Sequence, residues 1–348
     1  MTVTKAAQTA NQAFVLHPGG TFAFEERSKP TLQSDRDVIV RVMATGLCGS
    51  DVHYWQHGRI GPYVVEDPII LGHESTGIVV ESGSGAAGLA VGDRVALEPG
   101  IACNTCNHCR NGRYNLCRGC ASPRHHLTTA HSLPTTAYPQ NAVSSSHPTY
   151  PCATDKSVAI FGAGPVGLLC CAVARAFGAS TVIAVDVVPA RLASAVKYGA
   201  THTYQMSTEA ADKNAADLLA MAGLDDGVDI ALDATGAEPC LNCGILALTQ
   251  GGTFVQVGLG KPNPSVPVGQ ICDKEIVFKG SFRYGPGDFK LAIGLLDSRR
   301  IRLDGLVTHE FPFGQAEDAF KNVAGRGGIK SVIYGPNVDE EEAKASSV

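Results

Sequence analysis

Residues that could hold a metal ion form two groups in the N-terminal part of the chain. The denser group is Cys103, Cys106, Cys109 and Cys117, spaced Cys-x2-Cys-x2-Cys-x7-Cys and separated by polar residues. Four thiolates at this spacing can surround Zn²⁺ as a tetrahedron with no position left open, which is typical of a structural site. The alternative to a zinc site is four buried free cysteines, and the polar residues between them disfavour it. A zinc ribbon that binds nucleic acid is the alternative from another functional class.

The second group is more dispersed. Cys48 lies in GLCGSD, and the pair His73 and Glu74 lies in LGHES. A thiolate, an imidazole and a carboxylate would leave one position of a zinc ion open for water or a substrate oxygen, as catalytic sites require. A lone buried cysteine and a hydrogen-bonded core histidine are commoner than ligands, so the pattern by itself is only a hypothesis of a catalytic site.

A glycine-rich turn predicts a dinucleotide site. Gly162, Gly164 and Gly167 in GAGPVG follow the strand-like SVAIF and open a helix, so the backbone can approach a pyrophosphate at the helix N-terminus. Asp186 ends the next strand, where a carboxylate binds both ribose hydroxyls and repels a 2′-phosphate. The pattern favours NAD over NADP. A turn that only packs helix on strand is the alternative, and Arg191 either covers the adenosine or is an exposed helix arginine.

Length and composition restrict the class of protein. With 348 residues, 44% apolar and 18% charged, the chain can bury two domain cores. A net charge of -5 and the absence of a basic run disfavour nucleic acid. The most apolar stretch, 158–174, is short and broken by glycines and a proline, so no membrane span is expected. The first 14 residues lack a secretory pattern, which predicts a cytoplasmic enzyme whose 12 cysteines are metal ligands or buried small residues.

The chain has two regions with different sequence patterns. Short β-type runs broken by Gly, Pro and Asp extend from residue 14 to about 95 and indicate an antiparallel barrel or sandwich. From Lys156, apolar strand-like runs alternate with helical stretches, which predicts a parallel sheet built from βαβ units. We therefore predict domains at 1–155 and 156–290, with 291–348 returning to the first domain and ending in a frayed tail.

Several motifs together resemble one enzyme family. GLCGSDVHYW, DPIILGHES, VGDRVALEPG, GRYNLC, FGAGPVGLL and GSFRYG are similar to zinc-dependent medium-chain dehydrogenases, and in particular to the polyol branch that contains sorbitol and xylitol dehydrogenases. The resemblance covers about 14–117 and 156–336. It implies an α/β fold in which a GroES-like, β-rich catalytic domain is joined to a Rossmann domain. It also implies NAD, one catalytic and one structural zinc ion, and a homo-oligomer of two or four chains.

The resemblance assigns roles by position. Cys48, His73 and Glu74 would hold the catalytic zinc, and Cys103, Cys106, Cys109 and Cys117 the structural one. Ser50 and Tyr54 would lie beside the reacting oxygen, and Arg283 and Tyr284 would face the polyol. The remaining implied cofactor contacts are Val166, Asp186, Arg191, Val257, Gly258, Leu259, Phe282 and Arg283.

The implied reaction is Lewis-acid-assisted oxidation of a polyol secondary alcohol to a ketose, with hydride transfer to NAD and with Ser50 helping to move the proton. Xylitol to D-xylulose is the leading expectation, because the glycine-rich region and the N-terminal half are closest to fungal xylitol dehydrogenases. Sorbitol and L-arabinitol stay open as substrates. A chain that binds dinucleotide without turnover is the alternative from a different class.

The stretch 118–155 departs from the family. It is rich in Pro, Ser, Thr and His and contains no glutamate, although the family carries a glutamate of its catalytic zinc site there. In permissive codons shifted by two nucleotides, GCASPRHHLTTAHS can encode MRFAATPPYDGTL, a family-like run. We therefore hypothesise a shifted reading frame with some sequence lost before Lys156. A transcript that carries these codons in frame would contradict the hypothesis and would establish a divergent loop, leaving the zinc site incomplete.

Overall fold

The computed structural model describes residues 11–117, 119, 154–336, 338 and 341–342, with the backbone of two strands at 132–134 and 137–139. The described residues form two compact units. The first comprises the residues up to 139, together with 284–297 and those from 304 onward. The second comprises 154–283 and 298–303. The chain returns to the first unit at Tyr284, whereas the sequence analysis predicted this return at residue 291. The predicted domain ranges are not otherwise tested.

Eighteen strands lie in the part of the chain that the structure describes. In chain order they are β1 Gln12–His17, β2 Thr21–Glu26, β3 Asp37–Gly46, β4 Arg59–Ile60, β5 Tyr63–Val64, β6 Ile69–Ile70, β7 Glu74–Ser82, β8 Arg94–Leu97, β9 Ser132–Pro134, β10 Ala137–Pro139, β11 Ser157–Phe161, β12 Thr181–Asp186, β13 His202–Gln205, β14 Val228–Asp233, β15 Leu248–Gln256, β16 Val277–Gly280, β17 Val307–Phe311 and β18 Lys330–Tyr334.

The helices connect these strands, and within the described residues two short 3₁₀ helices lie at Tyr114–Leu116 and Phe313–Gln315. The α-helices are α1 Gly49–His57, α2 Asn107–Arg110, α3 Pro165–Ala176, α4 Pro189–Lys197, α5 Ala211–Ala222, α6 Glu238–Ala247, α7 Val268–Asp273, α8 Asp288–Asp297 and α9 Ala316–Ala324.

The first unit is β-rich. Its largest sheet has the order β10-β8-β7-β3-β18-β17, with β9 also paired to β3, and a smaller sheet has the order β2-β1-β6. β3 and β7 are antiparallel, and β7 alternates between exposed and buried residues along most of its length, which is typical of a sheet with one face on a core. Val40 and Val79 contribute to that core. Phe14, Leu47 and Phe320 belong to a separate apolar cluster of this unit, and β18 brings the C-terminal part of the chain against β3.

The second unit is a parallel sheet with the order β13-β12-β11-β14-β15-β16. All five pairings are parallel, and β11 is wholly buried because the neighbouring elements cover both of its faces. Phe161, Leu218, Ile245 and Phe254 lie in its core. The strand order reverses between β11 and β14, the position at which such sheets bind dinucleotides. The predicted α/β class with a doubly wound parallel sheet is confirmed.

Most of the anomalous stretch lies outside the described residues. Strands β9 and β10 fall within it and pair with β3 and β8, although the sequence there shows no sustained periodicity. The shifted-frame hypothesis concerns the part of this stretch that the structure does not describe, and so does the loss of the zinc-site glutamate that the family carries there. Both stay predictions.

Candidate metal centres and dinucleotide site

Asp51 organises the first candidate metal centre. Cys48 precedes α1 as its N-cap, and the Cys48 backbone N–H donates to Asp51 Oδ2 over 2.9 Å, as in a capping box. Asp51 Oδ1 accepts from the Gly72 N–H over 3.2 Å and lies 3.3 Å from His73 Nδ1. Asp51 is only 2% exposed. One buried carboxylate therefore joins the start of α1 to the turn before β7.

The side chains of Cys48, His73 and Glu74 come together at this point. Their candidate ligand atoms all lie within 4.8 Å of one another, although 25 residues separate Cys48 from His73. Sulfur, nitrogen and oxygen donors are the set that catalytic zinc sites use, with a position left for substrate. The three residues that the sequence singled out therefore fit a zinc ion.

The residues of this cluster shift each other's pKa values. Burial alone would lower the pKa of His73, but hydrogen bonds to Asp51 and Cys48 raise it to about 11. Burial alone would raise the pKa of the Cys48 thiol, but the hydrogen bond and charge of His73 lower it. The cluster is stabilised by positive charge beside Cys48, and a bound cation would take the place of the imidazole proton.

Glu74 has a second partner. Lys330 Nζ forms an ion pair with Glu74 Oε2 and donates to the Leu47 carbonyl over 2.9 Å. Gly46 leaves room for this contact, because an added Cβ would come 2.5 Å from Glu74 Oε2 and 2.9 Å from Lys330 Cε. Since the carboxylate has two oxygens, the ion pair leaves Oε1 available to a metal ion.

The four cysteines of the second centre are also brought together. Their sulfur atoms all lie within 4.8 Å of one another, and Cys103 Sγ lies 3.8 Å from Cys109 Sγ. Backbone N–H groups of Cys106 and Cys109 donate to the sulfurs of Cys103 and Cys106 over 3.4 and 3.5 Å. Hydrogen bonds from Thr105 and from the Cys106 backbone lower the pKa of Cys103 to about 5. Four sulfurs and no other ligand fit a structural zinc ion.

The glycine-rich turn has the geometry that its sequence predicted. Gly162 has φ of +96°, a conformation that favours glycine. A Cβ on Gly167 would lie 1.6 Å from the Gly162 carbonyl oxygen, so this glycine permits the close packing of α3 on the turn. A Cβ on Gly164, by contrast, would have no atom within 4 Å. Open space at the N-terminus of α3 is what a bound pyrophosphate requires.

Asp186 ends β12 and faces this turn. Its Oδ2 accepts from the Ala163 N–H over 2.7 Å, and its Oδ1 accepts from the Val188 N–H over 2.9 Å. These bonds fix the carboxylate at the carboxyl end of the sheet, where the ribose of a dinucleotide lies in this fold. Arg191 follows on α4 and is partly buried.

The other predicted cofactor contacts lie at the same end of the sheet. Val166, Leu259 and Phe282 are 46%, 61% and 44% exposed, so their side chains are open to a ligand. Val257 and Gly258 follow β15 directly. Arg283 has φ of +59°, a strained conformation for a non-glycine residue, and its guanidinium lies 4.9 Å from the centre of the Phe282 ring.

The remaining predicted site residues are in the first unit. Ser50 and Tyr54 are on α1, the helix that begins after Cys48, and both are half-buried. Tyr284 packs edge-on against Phe289, with ring centres 5.0 Å apart. The structure therefore brings the three catalytic-zinc residues together, and it separately places the dinucleotide residues in the second unit. It does not place Arg283 and Tyr284 in the same unit.

Two residues of the first centre were missed from the sequence. Asp51 had a local signal, because an acidic residue three positions after a helix N-cap often bonds back to it. Lys330 had none, because its contact with Glu74 depends on the pairing of β18 with β3.

No helix within the described residues has the length and the apolar character that crossing a membrane requires.

Comparison with family models identifies the class. Residues 34–141 match the alcohol dehydrogenase GroES-like domain, and residues 165–298 match the zinc-binding dehydrogenase domain. Together these models cover more than half of the chain, and the predicted GroES-like and Rossmann domains are thereby confirmed. The chain belongs to the zinc-dependent medium-chain dehydrogenases, and specifically to their polyol dehydrogenase branch.

Relatives and solved structures agree with this assignment. A protein of Neosartorya fischeri called probable D-xylulose reductase A is 45% identical over 353 residues, covering 95% of this chain and 99% of the relative. D-xylulose reductase A of Aspergillus niger is 43% identical over 95% of this chain and 99% of its own length. The alcohol dehydrogenase TADH of Thermus sp. ATN1 superposes with a TM-score of 0.75 at 27% identity, covering 93% of this chain and 99% of that structure. The chain is an oxidoreductase that uses NAD and zinc.

Proposed function

We propose that this enzyme oxidises a secondary alcohol of a polyol to a ketose with NAD, and that its reaction is the conversion of xylitol to D-xylulose. The observation that carries the proposal is the grouping of Cys48, His73 and Glu74, whose donor atoms lie within 4.8 Å of one another. The polyol is supported by relatives of 43–46% identity that are called D-xylulose reductase A.

When bound, zinc at Cys48, His73 and Glu74 supplies a Lewis acid that lowers the pKa of an alcohol oxygen, and NAD accepts the hydride. Asp51 accepts a hydrogen bond from the His73 ring and so fixes which nitrogen faces Cys48 and Glu74. Lys330 pairs with Oε2 of Glu74, so a bound metal ion would share this carboxylate with the lysine. Ser50 and Tyr54 lie on α1, the helix that begins after Cys48, where Ser50 would take the proton and Tyr54 would contact the polyol.

The remaining residues hold the cofactor and substrate. Gly162, Gly164 and Gly167 admit the pyrophosphate, and Asp186 binds the ribose hydroxyls and repels a 2′-phosphate. Arg191 lies on the adenosine side, whereas Val257, Gly258, Leu259 and Phe282 contact the nicotinamide side. Arg283 and Tyr284 contribute to polyol recognition.

The test is a steady-state assay of NADH formation with xylitol, sorbitol and L-arabinitol, with NAD and NADP compared as cofactors. We expect the highest kcat/KM with xylitol and NAD. Cys48→Ser should abolish turnover, whereas Cys272→Ser, at an exposed cysteine on α7, should leave it unchanged. A preference for another polyol would overturn the xylitol assignment, and full activity of Cys48→Ser would overturn the zinc site.

We also propose that the enzyme is a homo-oligomer. β16 is an edge strand of the parallel sheet, and its Val277 and Phe278 are 45% and 43% exposed. Such an edge is suited to pairing with the same strand of a second copy. Light scattering after gel filtration should give a dimer or tetramer, and Phe278→Lys should shift it toward monomer. A monomeric wild-type chain would contradict the proposal.

We place the enzyme in the cytoplasm. All the cysteines in the described residues are free, and two zinc sites that rely on thiolates require a reducing compartment. Fractionation of cells that express the full chain would check this location.

A further inference from the structure

The buried carboxylate of Asp233 has no role in the zinc chemistry, yet both of its oxygens accept hydrogen bonds at the carboxyl end of the parallel sheet. It is 0% exposed and is the last residue of β14. Its Oδ1 accepts from the N–H and the hydroxyl of Thr235, over 2.8 and 2.6 Å. Its Oδ2 accepts from the Gly236 N–H over 3.2 Å and from Gln256 Nε2 over 2.8 Å.

These bonds connect two loops. Thr235 and Gly236 belong to the loop after β14, whereas Gln256 ends β15. The backbone carbonyl of Asp233 also accepts from the N–H groups of Val257 and Gly258, over 2.9 and 2.8 Å. One residue therefore holds both loops by its side chain and its main chain.

The two loops are packed backbone against backbone. A Cβ on Gly258 would lie 2.3 Å from the Gly236 nitrogen, and a Cβ on Gly260 would lie 1.7 Å from the Gly236 oxygen. Contact continues to the glycine-rich turn, because a Cβ on Gly162 would lie 2.7 Å from Thr235 Cγ2. A shift of Thr235 would therefore be transmitted to the turn that receives the pyrophosphate.

The position of these loops identifies what they face. The strand order reverses between β11 and β14, and a dinucleotide binds across that reversal. Asp186, on β12, lies on the side of the adenosine ribose. The loops after β14 and β15 lie on the opposite side of the glycine-rich turn, and the nicotinamide half must therefore lie against them.

We propose that Asp233 is a positioning residue for NAD, whose carboxylate holds the loops after β14 and β15 in the arrangement that receives the nicotinamide half. This inference rests on the proposed dinucleotide site. Only a carboxylate satisfies every donor here, because an Asn amide would turn an N–H group toward donors. Gln256 could not relieve this conflict by rotating its amide, since its Nε2 also donates to the Gly258 carbonyl over 2.9 Å.

The experiment compares isosteric substitutions at the two ends of β14. Asp233→Asn changes the carboxyl end, and Asp229→Asn changes the amino end, where Asp229 accepts from Lys156 Nζ and from the N–H and hydroxyl of Ser157. Both variants are purified as full chains with zinc. NADH affinity is titrated by fluorescence, melting temperature is measured beside it, and KM is determined separately for NAD and for the polyol.

We expect Asp233→Asn to weaken NADH binding and raise the KM for NAD by about tenfold, since a charge-assisted hydrogen-bond network is disrupted. The polyol KM should change less, and Asp229→Asn should bind NADH as the wild type does. Equal NADH affinity in both variants would overturn the inference, even if both melt at lower temperature. A wild-type chain that binds no NADH would overturn the proposed function, and this inference with it.

A second, milder variant tests the proposal if Asp233→Asn does not fold. Thr235→Val keeps the methyl group beside Gly162 but removes the hydroxyl that donates to Asp233 and accepts from the Ala237 N–H over 2.9 Å. We expect weaker NADH binding in this variant at a melting temperature close to that of the wild type. Unchanged NADH affinity in folded Thr235→Val would overturn the inference.

Discussion

At the scale of single residues, the proposed catalytic centre at Cys48, His73 and Glu74 depends on groups that are not themselves expected ligands. Asp51 orients His73, and Lys330 shares the carboxylate of Glu74 with any bound metal ion. Both contacts can be tested by substitution. Replacing Asp51 or Lys330 should change the affinity of the centre for zinc without removing any of its three donor side chains.

Asp51→Asn should weaken zinc binding at the Cys48 centre by about 10- to 100-fold, because partners that orient a metal-ligating histidine have effects of this size. Zinc content after dialysis against graded chelator concentrations measures the change. Asp225→Asn, at an exposed aspartate in a turn, is the matched control and should retain zinc as the wild type does. Equal loss of zinc from both variants would show that Asp51 does not support the ligand.

Lys330→Met should have opposite effects on the metal-free and zinc-loaded enzyme. Lys330 is 13% and Glu74 37% exposed, and the loss of Lys330 removes the ion-pair partner of Glu74 in the metal-free state, which should cost about 1 kcal/mol of stability. Zinc would then have no competitor for this carboxylate and should bind more tightly. The melting temperatures with and without zinc should therefore lie further apart in the variant, and an unchanged difference would contradict this role.

At the scale of elements, different glycines at the junction of β11 and α3 serve packing and ligand binding. Gly167 and Gly164 belong to the same glycine-rich motif, but only Gly167 is in close contact with protein backbone. The motif therefore predicts two different kinds of defect from the same substitution.

Gly167→Ala should destabilise the parallel sheet by about 1–3 kcal/mol or more, because its Cβ would overlap the Gly162 carbonyl. Gly164→Ala should change stability by less than about 1 kcal/mol, since its Cβ meets open space, but it should weaken NADH binding. Thermal unfolding and NADH titration on both variants separate the two effects. The expectation is wrong if Gly164→Ala binds NADH normally.

At the scale of the whole molecule, the two units carry different ligands. The two candidate zinc centres lie in the first unit, and the proposed dinucleotide contacts from Gly162 to Arg283 lie in the second. Each unit has a hydrophobic core of its own, so each ligand should stabilise mainly the unit that contains its contacts.

Hydrogen exchange measured by mass spectrometry can check this division. NADH at about 100 times its Kd stabilises the state that binds it by about 2.7 kcal/mol. We expect protection by NADH to be concentrated in 154–283, and protection by zinc around Cys48, His73 and the lobe at 103–117. NADH-dependent protection confined to the first unit would contradict the assignment of the dinucleotide site.

Much of the site was predictable because its parts are local in sequence. The spacing of Cys103 to Cys117, the glycine-rich turn and Asp186 each lie within one or two adjacent elements, so their geometry follows from short-range backbone rules. The alternation of strands and helices likewise predicted the parallel sheet, since the period of apolar residues reflects which faces are buried.

The sequence by itself therefore determined the fold class, and it singled out the two groups of candidate metal ligands and the glycine-rich turn, whose roles stay predictions. Only the tertiary structure decided that Asp51 reaches His73, that Lys330 pairs with Glu74, and that Asp233 holds two loops together. These contacts join segments far apart in the chain, and they depend on strand register and on the close approach of backbones at glycines. Short-range sequence patterns do not predict strand register or close backbone contacts, because both are set by the packing of the whole sheet.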